Sequence, residues 1–293
     1  MSRFLDALRS GRVLLMDGAM GTELQRAGLK PGECGELWNL THPEKVRAIH
    51  QAFVDAGAEV LLTNTFQANP AALARHHLDD QLAVICQSAV DLARQAAGPD
   101  RWVVADVAPY SLEEEWQGLP KLVSALSAAA PDGFFIETCS NPNTLVRVLK
   151  SLYAELPNAF PVLVSFTYRR DRENEVRTID GLPPRKMARW MEDYSIAALG
   201  VNCGSDMGMP QILETVEAYR ENTHRRLFAR PNAGTPKQVD DRWIYPHTPA
   251  YMASWLPELL EAGVSMIGGC CGTTPEHIAA FRPIIDEWNR KKT

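Results

Sequence analysis

The feature that most constrains this chain is a recurrence. Eight short runs of β-branched and aliphatic residues are each followed by a polar or glycine-rich turn and then by a segment of helical apolar period. The runs lie at 13–16, 60–63, 102–107, 133–136, 162–166, 197–201, 227–229 and 264–267. The helical segments lie at 43–56, 79–97, 119–130, 142–156, 184–194, 210–222, 248–262 and 275–290. Parallel strands need a long crossover between them, normally a helix, so this alternation predicts parallel βαβ construction. Eight such units predict an α/β fold, a single eight-stranded parallel barrel over 1–293, and the length of 293 residues is compatible with it. No Pro/Gly/Ser-rich linker, low-complexity tract or internal repeat marks a domain boundary. An open doubly wound sheet is the rival, but the first turn, Asp17-Gly18-Ala19-Met20-Gly21, lacks the glycine spacing of a dinucleotide fingerprint.

The helical segments carry their own punctuation. Thr41-His42-Pro43-Glu44, Asn141-Pro142, Thr248-Pro249 and Thr274-Pro275-Glu276 each join a capping side chain to an early proline, while Ala56-Gly57 and Ala262-Gly263 are stops. Two long connections, 64–78 and 168–183, follow strands and are expected at a binding rim. With 45% hydrophobic and 23% charged residues the chain has enough apolar material for a large core. A net charge of −6 excludes a broad nucleic-acid footprint and favours a small-molecule partner. Apolar runs such as Val60-Leu61-Leu62 and Phe134-Phe135-Ile136 fall far short of the ~20 residues of a membrane span. The start, Met1-Ser2-Arg3-Phe4-Leu5-Asp6, does not read as a secretory signal, so a cytoplasmic location is expected. Six cysteines are too sparse for a disulfide scaffold, so in a reducing compartment their clustering points to metal or catalysis.

In such a barrel the chemistry lies at the carboxyl ends of the strands. Those ends are Asp17-Gly18-Ala19-Met20-Gly21, Thr63-Asn64-Thr65-Phe66, Glu137-Thr138-Cys139, Asn202-Cys203-Gly204, Arg230-Pro231-Asn232-Ala233-Gly234 and Gly268-Gly269-Cys270-Cys271-Gly272. Adjacent Cys270 and Cys271 do not readily form a disulfide with each other, but with Cys203 from a nearby strand they can face one metal ion. Three thiolates around Zn²⁺ leave a site of net charge about −1 with a fourth position open. That is a poor centre for splitting water and a good one for keeping an incoming sulfur deprotonated and electron-rich, which favours alkyl transfer to sulfur. Buried structural thiols and a vicinal redox pair are the alternatives. Cys86, in Leu82-Ala83-Val84-Ile85-Cys86, reads as core; Cys34 lies in a loop, and Cys139 follows Glu137 closely enough for a supporting or redox role. Asp17 and Glu137 end apolar strands and are expected to point into the mouth. There they could act as acid and base, cap the following helices, or hold the ammonium of an amino-acid substrate. Gly18 and Ala19 could offer backbone N–H groups to its carboxylate.

Together, Asp17-Gly18-Ala19-Met20-Gly21-Thr22-Glu23-Leu24, Thr63-Asn64-Thr65-Phe66, Val201-Asn202-Cys203-Gly204 and Gly268-Gly269-Cys270-Cys271-Gly272-Thr273 resemble the homocysteine S-methyltransferase family. That family includes betaine–homocysteine methyltransferase and the homocysteine-binding domain of cobalamin-dependent methionine synthase. The likeness spans nearly the whole chain. It implies a TIM barrel with zinc on Cys203, Cys270 and Cys271 and the sulfur of homocysteine in the open position. It also implies that Asp17 and Glu137 bind the substrate amino group and that Gly18 and Ala19 receive its carboxylate. Asn232 matches a position that resembles the source of a fourth zinc ligand when substrate is absent.

The resemblance divides over the methyl donor. Asn64-Thr65-Phe66 and Glu36-Leu37-Trp38-Asn39 are similar to the methionine synthase and betaine branches, yet the chain carries one barrel, so the donor is expected to be a free small molecule or a methyl-corrinoid on a separate protein. A quaternary ammonium donor would need an aromatic cage, for which Trp38, Phe66, Tyr110, Trp116 and Tyr168 are candidates. Glu137-Thr138 departs from the Glu-Tyr of the betaine enzymes. The reaction expected is methyl transfer to homocysteine, giving methionine. The alternatives are transfer to another thiol or selenol, and a non-catalytic thiol-binding or corrinoid-interacting module.

Overall fold

The structure is a computed structural model that describes residues 2–109, 113–157, 160–239 and 242–292. Its frame is eight parallel strands, β1 (Leu14–Leu15), β2 (Val60–Leu62), β3 (Trp102–Val107), β4 (Gly133–Cys139), β5 (Val162–Phe166), β6 (Ala198–Asn202), β7 (Arg226–Arg230) and β8 (Val264–Ile267). From β2 to β8 each pairs with its neighbours in chain order, and β8 pairs back onto β1 with Leu14 opposite Met266. A bridge between Met16 and Val60 joins β1 to β2, backed by Asp17 N–H donating to Val60 O at 2.9 Å and Glu59 N–H donating to Leu15 O at 2.7 Å. These contacts bring the ring together as the barrel expected from the eightfold alternation.

Strand side chains alternate between two cores because successive Cβ atoms point to opposite faces. Leu14, Met16, Val60, Leu62, Trp102, Val104, Phe135, Leu163, Ala198, Phe228 and Met266 fill the barrel interior, and Phe4 and Leu8 join them from a helix at Arg3–Arg9. Leu15, Leu61, Val103, Ile136, Val164, Leu199 and Leu227 point outward against the helices. Gly200 keeps the interior at this density, since a Cβ there would come within 2.3 Å of the Phe228 ring.

Several local expectations needed adjustment. The helix expected at 248–262 is two helices, Pro249–Ala253 and Leu256–Glu261, because Pro257 has no N–H to donate and its ring excludes the preceding carbonyl. The segment expected at 79–97 opens with a 3₁₀ turn, Asp79–Gln81, before the α-helix Leu82–Ala97. The helix expected at 119–130 begins earlier, at Glu113, and ends at Ala128. The long connection 168–183 holds an antiparallel ribbon, Arg169–Arg170 with Val176–Arg177, and a second ribbon pairs Lys237–Val239 with Arg242–Ile244 beyond β7. Neither ribbon nor the helix at Arg3–Arg9 was expected. Among the described residues no helix is long and apolar enough to cross a membrane.

Candidate functional site

The strand pleat that fills the barrel with apolar side chains becomes polar one step higher. Counting by two from Val104, Phe135, Leu163 and Phe228 gives Asp106, Glu137, Ser165 and Arg230, and Ala198 leads through Gly200 to Asn202. All five of these polar side chains are buried and face one cavity or the network beneath it. The cavity measures about 440 Å³ and is lined by Gly18, Ala19, Asp106, Glu137, Arg230 and the thiol cluster, among others. A larger open groove, about 580 Å³ beside Arg12, Asp286, Asn289 and Arg290, holds no comparable cluster.

The loops deliver three sulfurs to the cavity. After β6 the chain turns through Cys203 at φ 55° and Gly204 at φ 109°, a left-handed pair that folds the Cys203 side chain back over the barrel. After β8, Gly269 N–H donates to Asp17 O at 3.0 Å and Cys270 N–H to Pro231 O at 2.9 Å, stitching the Cys270-Cys271 loop between β1 and β7. The ligand atoms of Cys203, Cys270 and Cys271 all lie within 4.8 Å of one another, and the Cys270 and Cys271 sulfurs are 3.9 Å apart. For a tetrahedral ion with metal–sulfur bonds of about 2.3 Å, the sulfur–sulfur edge is about 3.8 Å. Asn232 adds a fourth donor: its Nδ2 donates to Cys203 Sγ at 3.6 Å, and its buried Oδ1 has no hydrogen-bond partner. Three soft sulfurs and one orphaned oxygen fit a tetrahedral metal ion. Without the ion, hydrogen bonds from Cys270 and then Cys271 hold the Cys203 thiol far below its ordinary pKa, while Cys270 is pushed up by the same sharing.

The acids sit beside this cluster. Arg230 Nη1 donates to Asp17 Oδ1 at 2.9 Å and to Asp17 O at 3.1 Å, and Nη2 donates to Gly18 O at 3.2 Å. Asp17 Oδ2 accepts from Leu62 N–H at 2.7 Å. Glu137 is aimed by a bulge: β4 shifts register between Ile136 and Cys139, with Thr138 at φ 64°. Asn202 Nδ2 donates to Glu137 Oε1 at 2.9 Å, and its Oδ1 accepts from Ser165 Oγ at 2.6 Å and from Thr138 N–H at 3.1 Å, which fixes the amide orientation. Burial raises the Asp17 and Glu137 carboxyls, opposed by Arg230 in both. Asp106 is raised further, first by burial and then by the Glu137 charge. Three acids around a single arginine leave the cavity floor acidic.

Thus the predicted thiols, Gly18, Ala19 and Glu137 line one cavity, with Asn232 at its thiol end, whereas Asp17, expected in the mouth, is 2% exposed, is not among the lining residues and meets the cavity through Arg230. Among the described residues, the N–H groups of Gly18 and Ala19 at the start of helix Met20–Arg26 find no protein acceptor. Among the described residues the aromatic cage does not assemble. Phe66 lines the cavity, but Trp38 is buried against His42 with the Lys45 ammonium 4.6 Å from its ring, and Tyr168 is buried with its hydroxyl 2.7 Å from that of Tyr219. Trp116 packs on the outer core beneath Arg147, and Tyr110 lies outside the described residues. Cys139 and Cys86 are fully buried in the outer core, and Cys34 donates to Glu36 Oε2 at 3.6 Å. Sequence reading missed Asp106, Asn202 and Arg230 as a set, although counting by two from the inward apolar residues would have found them.

The family model for homocysteine S-methyltransferase matches residues 14–285. Homocysteine S-methyltransferase of Escherichia coli (strain K12) is 31% identical over 92% of this chain and 94% of its own length. Methionine synthase of Mycobacterium leprae is 29% identical over 95% of this chain, which spans 25% of that protein. The metallated form of the homocysteine methyltransferase MmuM from Escherichia coli superposes with a TM-score of 0.76 at 28% identity, covering 96% of this chain and 99% of that one. With a family model matched along nearly its whole length, the chain belongs to the homocysteine S-methyltransferase family.

Proposed function

We propose that this protein is a zinc-dependent homocysteine S-methyltransferase that yields methionine. The observation that carries the reading is the cluster of three sulfurs at the edge of a cavity with an acidic floor. Cys203, Cys270 and Cys271 would hold the ion, and Asn232 Oδ1 is the donor available to it before substrate enters. Bound zinc supplies the means of keeping an incoming thiol ionised at neutral pH.

The chain's own residues do the rest. Asp17 and Glu137 accept the substrate ammonium, whose charge offsets the surplus of buried acids. The Gly18 and Ala19 N–H groups take the substrate carboxylate. Arg230 keeps Asp17 fixed and so sets the distance from the amino group to the sulfur cluster. The methyl donor enters the same cavity, whose lining includes Phe66 and Glu36, either as a free small molecule or on a separate corrinoid protein. Six free thiols suit the reducing cytoplasm.

Purified protein should be given homocysteine with S-adenosylmethionine, S-methylmethionine, betaine and a methyl-corrinoid in turn. Methionine from at least one donor is expected. Silence with all four overturns the activity, and full zinc retention in both Cys203→Ala and Cys271→Ala overturns the metal assignment.

A further inference from the structure

The cavity floor holds one acid more than the pair assigned to the substrate ammonium. Asp106 stands two residues beyond Val104, which fills the barrel interior; it lines the cavity and is 6% exposed. Its buried Oδ1 has no hydrogen-bond partner. The neighbouring acids already carry protein donors. Asp17 Oδ1 accepts from Arg230 and Oδ2 from Leu62 N–H, while Glu137 Oε1 accepts from Asn202. A buried carboxylate oxygen without a donor is costly, and beside a cavity it is satisfied by a ligand that brings the donor with it.

Charge says what that ligand carries. Arg230 pairs with Asp17 at 2.9 Å and reaches Glu137 at 3.9 Å, and among the described residues no salt bridge joins a cation to Asp106. Three acids against one guanidinium leave room for a positive group between Asp106 and Glu137, which both line the cavity. Burial and then the Glu137 charge raise the Asp106 carboxyl, and a cation between the two acids relieves that repulsion.

The acid is held in place before any ligand arrives. Asp106 N–H donates to Thr63 Oγ1 at 3.1 Å, and Thr65 Oγ1 donates to Asp106 O at 2.7 Å. The two hydroxyls are 2.6 Å apart, and because the Thr65 hydrogen goes to Asp106 O, Thr63 supplies the hydrogen between them. The result is a closed ring of three hydrogen bonds around the Asp106 backbone, built from two buried threonines that follow β2. A backbone clamped on both its N–H and its C=O fixes where the side chain starts, which is what a selective binding group needs.

We infer, resting on the function proposed above, that Asp106 is a third acceptor for the substrate ammonium and sets the selectivity of the site for thiols that carry a free amino group. A site built to receive a hydrogen-bond donor rejects the analogue that lacks it, since its own buried acceptors are then left unpaired.

The test uses the full zinc-loaded chain and reads binding by titration calorimetry, with homocysteine and with its des-amino analogue, γ-mercaptobutyrate. The parent is expected to bind homocysteine the more tightly. Asp106→Asn, which keeps the shape and removes the charge, is expected to weaken homocysteine about tenfold and to leave γ-mercaptobutyrate unchanged. Asp106→Ser, run beside it, is expected to show the same selective loss. Parent-like homocysteine affinity in both variants, or equal loss for both thiols, overturns the assignment. So does a crystal structure of the homocysteine complex with the ammonium nitrogen out of hydrogen-bond reach of Asp106. Binding needs no methyl donor, so the result stands apart from the methionine assay. Silence there with selective homocysteine binding here removes the catalysis and keeps the subsite. Methionine formed, with parent-like affinity in the variants, removes only the role of Asp106, and a parent that binds neither thiol overturns both.

Discussion

Arg230 Nη1 donates to Asp17 Oδ1 at 2.9 Å, with the arginine side chain 3% exposed and the aspartate 2%. The pair is the electrostatic pivot of the cavity floor, because Glu137 lies 3.9 Å from the same guanidinium and Asp106 faces Glu137. Removing the cation strands three buried acids, whereas removing Asp17 leaves the guanidinium bound to two carbonyls and near Glu137. Arg230→Met is therefore expected to lose about 3–5 kcal/mol of stability and Asp17→Asn distinctly less, read from chemical denaturation. A larger loss in Asp17→Asn would refute this account of the floor.

Asp106 gives a pH signature. Its folded-state pKa is raised by burial and by the Glu137 charge, and its Oδ1 has no hydrogen-bond partner. Because the native state then holds this proton more tightly than the unfolded chain, stability is lost as pH rises from the ordinary carboxylate value toward the raised one. The slope is at most about 1.4 kcal/mol per pH unit. Asp106→Asn keeps the shape and removes the titration, so its melting temperature relative to the parent should climb between pH 4 and pH 7, on the order of the range in which an aspartate first ionises. A constant difference across that range would show that Asp106 does not carry the load.

The barrel was legible because its signal is repetitive: each strand run is bounded by its own turn and followed by its own helical period, so an error at one boundary leaves the count intact. The thiols were legible for a similar reason, since Cys203 and the Cys270-Cys271 pair stand at strand ends. What stayed hidden depends on partners distant in sequence. Arg230 sits in a strand-end motif, yet only the folded barrel brings it to Asp17, 213 positions away. Conversely, Trp38 and Tyr168 looked like rim aromatics, and packing against Lys45 and Tyr219 claimed them instead.

Gly200 tests the barrel interior. A methyl group there would meet Phe228 at 2.3 Å, and that ring is itself held edge-on to Phe135 with centroids 5.4 Å apart. Glu137 and Arg230 stand two residues beyond those two rings, so a displaced ring pair is felt directly beneath the site. Gly200→Ala is expected to cost about 1–3 kcal/mol in thermal or chemical unfolding. Parent-like stability would mean that the interior has slack at that level.

The cysteines divide into two chemical populations, and serine substitution separates them. Cys203 is part-exposed at the cavity with Cys270 and Cys271 as neighbours, so Cys203→Ser replaces a soft sulfur donor by a hard hydroxyl and is expected to release zinc with little change in the apo protein's unfolding. Cys139 follows Glu137 by two residues but is fully buried in the outer core, and burial pushes its thiol pKa up, away from any ligand role. Cys139→Ser places a hydroxyl among apolar side chains and is expected to cost about 1–3 kcal/mol of stability while zinc content stays full. Metal analysis and denaturation on the same two proteins should therefore move in opposite directions. Zinc lost from Cys139→Ser in a folded protein, or kept in full by Cys203→Ser, would overturn the division.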